Sequence, residues 1–165
     1  MGAAANPSVP AHPAPHPALL LACGNCLRQD DGVGLRIAEA AEHLFPESQL
    51  RIIAAQQFTP EMADDLAHTD LAIFVDASAA DEAGSIRVAT VTASDEPLET
   101  HHLDPPALLS LAEVVCGHAP ARAFLLTVGA GCFGYGEELS GPLRQAVPRA
   151  LRLLSSLVSA FANRA

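Results

Sequence analysis

No lysine occurs in the 165 residues, so the nine basic residues are all arginine, against nineteen Asp and Glu. The formal net charge of -10 excludes a broad phosphate-neutralising surface, and with it nucleic acid as a partner. It gives an anionic membrane equally little to attract. A phosphate-binding Gly-Lys-Ser/Thr loop is excluded as well, because its lysine is missing. Long apolar runs are lacking: the longest, Pro17 to Cys23, falls far short of the ~20 residues a membrane-spanning helix needs. No basic segment followed by a long apolar stretch is seen, so no export signal is expected and a reducing cytoplasm is the expected compartment. Cysteines are scarce. Cys23 and Cys26 have the spacing of a redox dithiol or half a zinc knuckle. Cys116 and Cys132 stand sixteen positions apart, so a second close pair is missing, and buried, inert thiols are expected.

What is present fits one domain. Half the residues are hydrophobic, and a chain of this length can bury a large share of its surface. Residues 1–17 hold five of the thirteen prolines and few branched apolar side chains to offset ordering entropy, so a disordered tail is expected there and a single α/β domain over 18–165. From Ala18 onward, short apolar runs alternate with helical periods. ALLLAC (Ala18 to Cys23), LRIIAA (Leu50 to Ala55), LAIFV (Leu71 to Val75) and AFLLTV (Ala123 to Val128) read as buried strands. SIRVATVT (Ser85 to Thr92) alternates as a half-exposed edge strand does.

Val33, Ile37, Ala41 and Leu44 recur at helical spacing before Pro46. Thr59-Pro60-Glu61 reads as a helix start with a hydroxyl cap, running to Ala67, and Asp104-Pro105-Pro106 opens a helix through Val115. A last helix is expected over Pro142 to Ala160, kinked at Pro148. The alternation predicts a three-layer α/β sandwich: a mostly parallel central sheet of about five strands with helices on both faces. Such sheets bind ligands at the carboxyl ends of their strands, which singles out Gly24 to Gly34, the segment after Asp76, and Gly129 to Leu139.

The first loop lacks the G-x-G-x-x-G spacing of a dinucleotide site. Its adjacent carboxylates, Asp30 and Asp31, would repel a phosphate but can bind a cation. Consecutive residues rarely point at one site, so one serves the site and the other helix capping or backbone support; Asp31 is assigned to the site and Asp30 to support, with the reverse assignment as the alternative. Asp76 ends an apolar run, so its carboxylate emerges at the sheet's carboxyl edge. His101-His102 precedes a helix opening. Two carboxylates and an imidazole suit a divalent transition metal and leave coordination positions open. The loop after the last strand, with its four glycines over Gly129 to Leu139, could line a substrate groove.

The stretches LLLACGNCLRQDDGVGLRIAEA, QQFTPEMADDLAHTDLAIFVDAS, HHLDPPALLSLAEVV and GYGEELSGPLRQAVPRAL together resemble the maturation endopeptidases of nickel–iron hydrogenases. The Gly-Asn-x-Leu-x-x-Asp-Asp-Gly-x-Gly and Val-Asp-Ala blocks are the most specific parts of the match, which covers nearly everything after residue 17. The resemblance implies a protease that removes a short C-terminal extension from the hydrogenase large-subunit precursor once nickel has been inserted. It implies Asp31, Asp76 and His101 as the residues that meet the metal. His102 is the rival of His101, which is preferred because Leu103 then keeps its usual spacing. The nickel belongs to the substrate, so no tightly bound cofactor of its own is expected. The first acid can be glutamate in the family, so aspartate at 31 is one methylene shorter. Two features depart from the pattern: Cys23 and Cys26 replace small or aliphatic residues, and the N-terminal tail is extra. The competing readings are a non-catalytic metal- or partner-binding maturation chaperone and a thiol redox protein using Cys23 and Cys26.

Overall fold

The computed structural model describes residues 16–94 and 103–163. Five strands form one sheet: β1 (His16–Cys23), β2 (Arg51–Ala55), β3 (Thr69–Ser78), β4 (Ile86–Thr90) and β5 (Arg122–Gly129). Their order is β2-β1-β3-β5-β4. β1 runs parallel to β2 and β3, β3 runs parallel to β5, and β4 is antiparallel to β5 at one edge. The edge position of β4 agrees with its alternating sequence.

The apolar runs follow from burial on both faces, because successive strand residues point to opposite sides. In β1, Ala18, Leu20 and Ala22 join one core while Leu19 and Leu21 join the other. β3 repeats the pattern, with Leu71, Ile73 and Val75 on the first side and Ala72 and Phe74 on the second. The helices α1 (Val33–Glu42) and α4 (Gly141–Ala162) close the first core, and α2 (Met62–Ala67) and α3 (Pro105–Leu111) close the second. The result is the three-layer sandwich expected from the alternation. Among the described residues, no helix is long and apolar enough to cross a membrane.

Four details differ from the sequence reading. β1 opens at His16, inside the stretch read as a tail, because His16 pairs with Thr69 of β3; residues 1–15 lie outside the described residues. α2 starts only at Met62 and has no side-chain cap. Thr59 and Pro60 form the turn that leads into it, with the Met62 amide donating to the Thr59 carbonyl and the Ala63 amide to the Pro60 carbonyl, both at 3.1 Å. The helix opened by Asp104, whose carboxylate accepts from the Ala107 amide at 2.9 Å, ends at Leu111 and continues as a wider π-type turn over Ala112–Cys116. α4 covers Gly141–Ala162, longer at both ends than expected, with Pro148 inside it; that residue is exposed, so water can serve the carbonyl left without an amide donor.

One close packing contact positions the site. A Cβ on Gly34 would lie 2.3 Å from the Cys23 carbonyl oxygen and 3.1 Å from that of Val75. Only glycine lets the first turn of α1 sit directly on the ends of β1 and β3.

Candidate functional site

β1 ends alongside β3, which runs on to Ser78, with Ala22 opposite Val75, so the chain leaves β1 next to Asp76. It departs through Gly24, whose φ of +149° and whose missing Cβ, which would otherwise lie 2.0 Å from the Asp31 carbonyl oxygen, allow the loop to double back. A 3₁₀ turn over Gln29–Gly32 follows. The Asp31 amide donates to the Arg28 carbonyl at 3.2 Å, and the Asn25 amide donates to Asp31 Oδ2 at 3.1 Å. Those bonds fix the Asp31 carboxylate. Asp76 Oδ1 accepts from the Ala77 amide at 2.8 Å.

Asp31 and Asp76 line one cleft of about 330 Å³ at the carboxyl end of the sheet. Cys23 and Gly24 form its floor side, Gln56 to Pro60 one wall, and Leu103 to Pro105 another. Phe58 is held in that wall by an edge-on contact with Phe74, ring centres 5.5 Å apart at 88°. Burial pushes the Asp76 carboxyl above its ordinary value; the Ala77 hydrogen bond opposes this and the charge of Asp31 adds to it. The Cys23 thiol, pushed up to about 12 by burial and then by the Asp76 charge, stays protonated at neutral pH.

Asp30 points the other way. It is fully buried, and its carboxylate caps neither the 3₁₀ turn nor α1, which corrects the capping half of the expectation. Instead Oδ2 accepts from the amides of Gly131 at 3.1 Å and Cys132 at 2.9 Å and from the Ser140 hydroxyl at 3.0 Å, while Oδ1 accepts from the Ser140 amide at 2.7 Å. Burial alone would raise this carboxyl, but the four donors outweigh it and hold it below the usual carboxylate range. The glycine-rich loop after β5 is therefore not a wall of the cleft, as the sequence suggested, but a brace behind the turn that carries Asp31.

His101 and His102 lie outside the described residues, as does the choice between them; Leu103, next in the chain, lines the cleft. Among the described residues, no group of three or more His, Cys, Asp or Glu side chains could hold a metal ion. The expected burial of the thiols holds for Cys23 alone, since Cys26, Cys116 and Cys132 are exposed. Sequence reasoning missed the contribution of Gln56 and Gln57 to the cleft and the bonds from Ser140 to Asp30. The wall was hidden because Thr59-Pro60-Glu61 looked like a helix cap. Ser140 was hidden because it lies 110 residues from its partner.

The strand order and helix placement form an α/β fold shared with solved hydrogenase maturation endopeptidases. The hydrogenase maturating endopeptidase HybD from E. coli shares this fold with a TM-score of 0.67 at 24% identity, over 87% of this chain and 92% of that one. The [NiFe] hydrogenase maturation protease HycI from Thermococcus kodakarensis KOD1 gives 0.68 at 23% identity, over 86% and 92%. The hydrogenase 2 maturation peptidase from Thaumarchaeota archaeon SCGC_AB-539-E09 gives 0.63 at 21%, over 86% and 97%. No family model and no curated protein matches the chain.

Proposed function

We propose that this protein is an endopeptidase that removes the C-terminal extension of a nickel-loaded hydrogenase large-subunit precursor, with the substrate's nickel as the mark it recognises. The observation that carries this reading is the pair of carboxylates, Asp31 and Asp76, in one cleft of a fold shared with hydrogenase maturation endopeptidases. His101 is assigned as their partner on the motif resemblance. Two hard carboxylates and an imidazole can fill vacant positions on a nickel ion that thiolates already hold, without displacing those thiolates. The nickel is part of the substrate, and its Lewis acidity is available to polarise the scissile carbonyl or to activate a water. Hydrolysis consumes that water: its oxygen ends in the new terminal carboxyl, and a proton goes to the leaving amine.

Incubation with nickel-loaded precursor should yield a shortened large subunit by mass spectrometry, while nickel-free precursor stays intact. Equal cleavage of both forms would remove nickel recognition. Binding without a new C-terminus would instead favour a maturation chaperone. Asp76→Ala should abolish processing, a loss of at least about 100-fold in kcat, while circular dichroism shows an intact fold. Retained activity takes Asp76 out of the site.

A further inference from the structure

Asp30 is a buried charge with no direct part in the cleft. Its four hydrogen-bond donors all come from the segment between β5 and α4. Three backbone hydrogen bonds also fasten the same segment to the turn and its approach. The Gln29 amide donates to the Gly136 carbonyl at 2.8 Å, the Gly136 amide to the Leu27 carbonyl at 3.0 Å, and the Asp30 amide to the Cys132 carbonyl at 3.0 Å. Gln29 adopts φ +49°, a left-handed conformation uncommon for a side chain of its kind, and its Oε1 accepts from the Gly134 amide at 3.2 Å. A strained residue persists only where its surroundings hold it, and here the surroundings are the brace. The two loops form one body, and Asp31 is the next residue after the anchor.

We infer that Asp30 is a positioning residue: by clamping the segment 131–140 it holds the 3₁₀ turn in the shape that aims the Asp31 carboxylate into the cleft. The inference rests on the proposed role of Asp31, but its structural half can be read separately. An asparagine at 30 keeps the size and offers one acceptor oxygen where two now serve four donors, so its NH₂ must face a donor. The clamp then loosens and the turn shifts. A displacement of about 1 Å at a reacting group is worth up to about 100-fold in rate.

The test uses the full-length protein with Asp30→Asn, read by NMR and by cleavage of nickel-loaded precursor. The Asn25 amide proton, which donates to Asp31 Oδ2, reports where that carboxylate sits, and Asp31→Ala calibrates its loss. Asp30→Asn should move the Asn25 resonance in the direction set by Asp31→Ala and lower kcat about 10- to 100-fold with KM within twofold. Ser140→Ala removes one of the four donors and keeps the carboxylate, so it should shift Asn25 the same way but less; it decides the matter if Asp30→Asn fails to fold. An Asn25 resonance that stays put while those of Gly131, Cys132 and Ser140 move overturns the inference, as does an unchanged kcat or a rise in KM alone. If wild-type protein cleaves nothing, the proposed activity fails, and the Asn25 resonance by itself decides whether Asp30 positions Asp31.

Discussion

Two neighbouring acids and a third across the cleft show how environment separates carboxylates of the same chemistry. Asp76 sits above its ordinary value in the folded chain, first through burial and then through Asp31, so folding favours its protonated form. The cost is absent below the ordinary carboxyl value of about 4 and sets in as pH rises through the folded value. Asp76→Asn should therefore raise Tm at pH 7, by about 2–4 °C for each kcal/mol recovered, and change nothing at pH 3, while it abolishes cleavage. A lower Tm at pH 7 would contradict this. Asp30 has the opposite sign, because its donors hold it below the ordinary value. Its stabilisation is present above the ordinary carboxyl value and is lost as pH falls through the folded one, so the Tm deficit of Asp30→Asn should close towards acid pH. The sequence reading assigned Asp31 to the site and Asp30 to capping or backbone support; Asp31 lines the cleft, and Asp30 is buried behind it without capping a helix. That reading could not say what Asp30 supports, because hydrogen-bond partners over a hundred positions away leave no local periodicity.

At the scale of elements, legibility followed local physics. β1, β3 and β5 were legible because burial on both faces leaves continuous apolar runs, and β4 because an exposed edge leaves alternation. α3 was legible from Asp104 and its two prolines, a cap whose bond to Ala107 is present. The start of α2 was misread, because Thr59 and Pro60 have the same chemistry in a cleft-lining turn as at a helix cap. The seat of α1 at Gly34 offers a sharp check. Gly34→Ala puts a methyl 2.3 Å from the Cys23 carbonyl, so α1 must lift from the strand ends. The expected result is a loss of about 1–3 kcal/mol, the usual range for overpacking, with reduced cleavage, since the Asp31 turn leads into that helix. Urea denaturation reads the first effect; an unchanged midpoint would mean the helix has room that the backbone geometry denies it.

The whole molecule is two apolar cores separated by one sheet, and β1 and β3 serve both. Removing a central side chain therefore weakens the domain as a unit. Leu20, fully buried on the α1/α4 side, should cost about 2–5 kcal/mol on truncation to alanine, a large part of the ~5–15 kcal/mol that holds a typical domain. The urea midpoint should fall without a change in m-value; a second transition would show that the two cores melt apart. The brace also ties distant parts of the chain. Ribosomes make Asp30 some 110 residues ahead of Ser140, a delay of roughly 5–20 s at ordinary elongation speeds. Throughout that interval the nascent polypeptide carries an Asp31 turn without its latch, so the cleft takes its final shape only when nearly all of the chain has been synthesised.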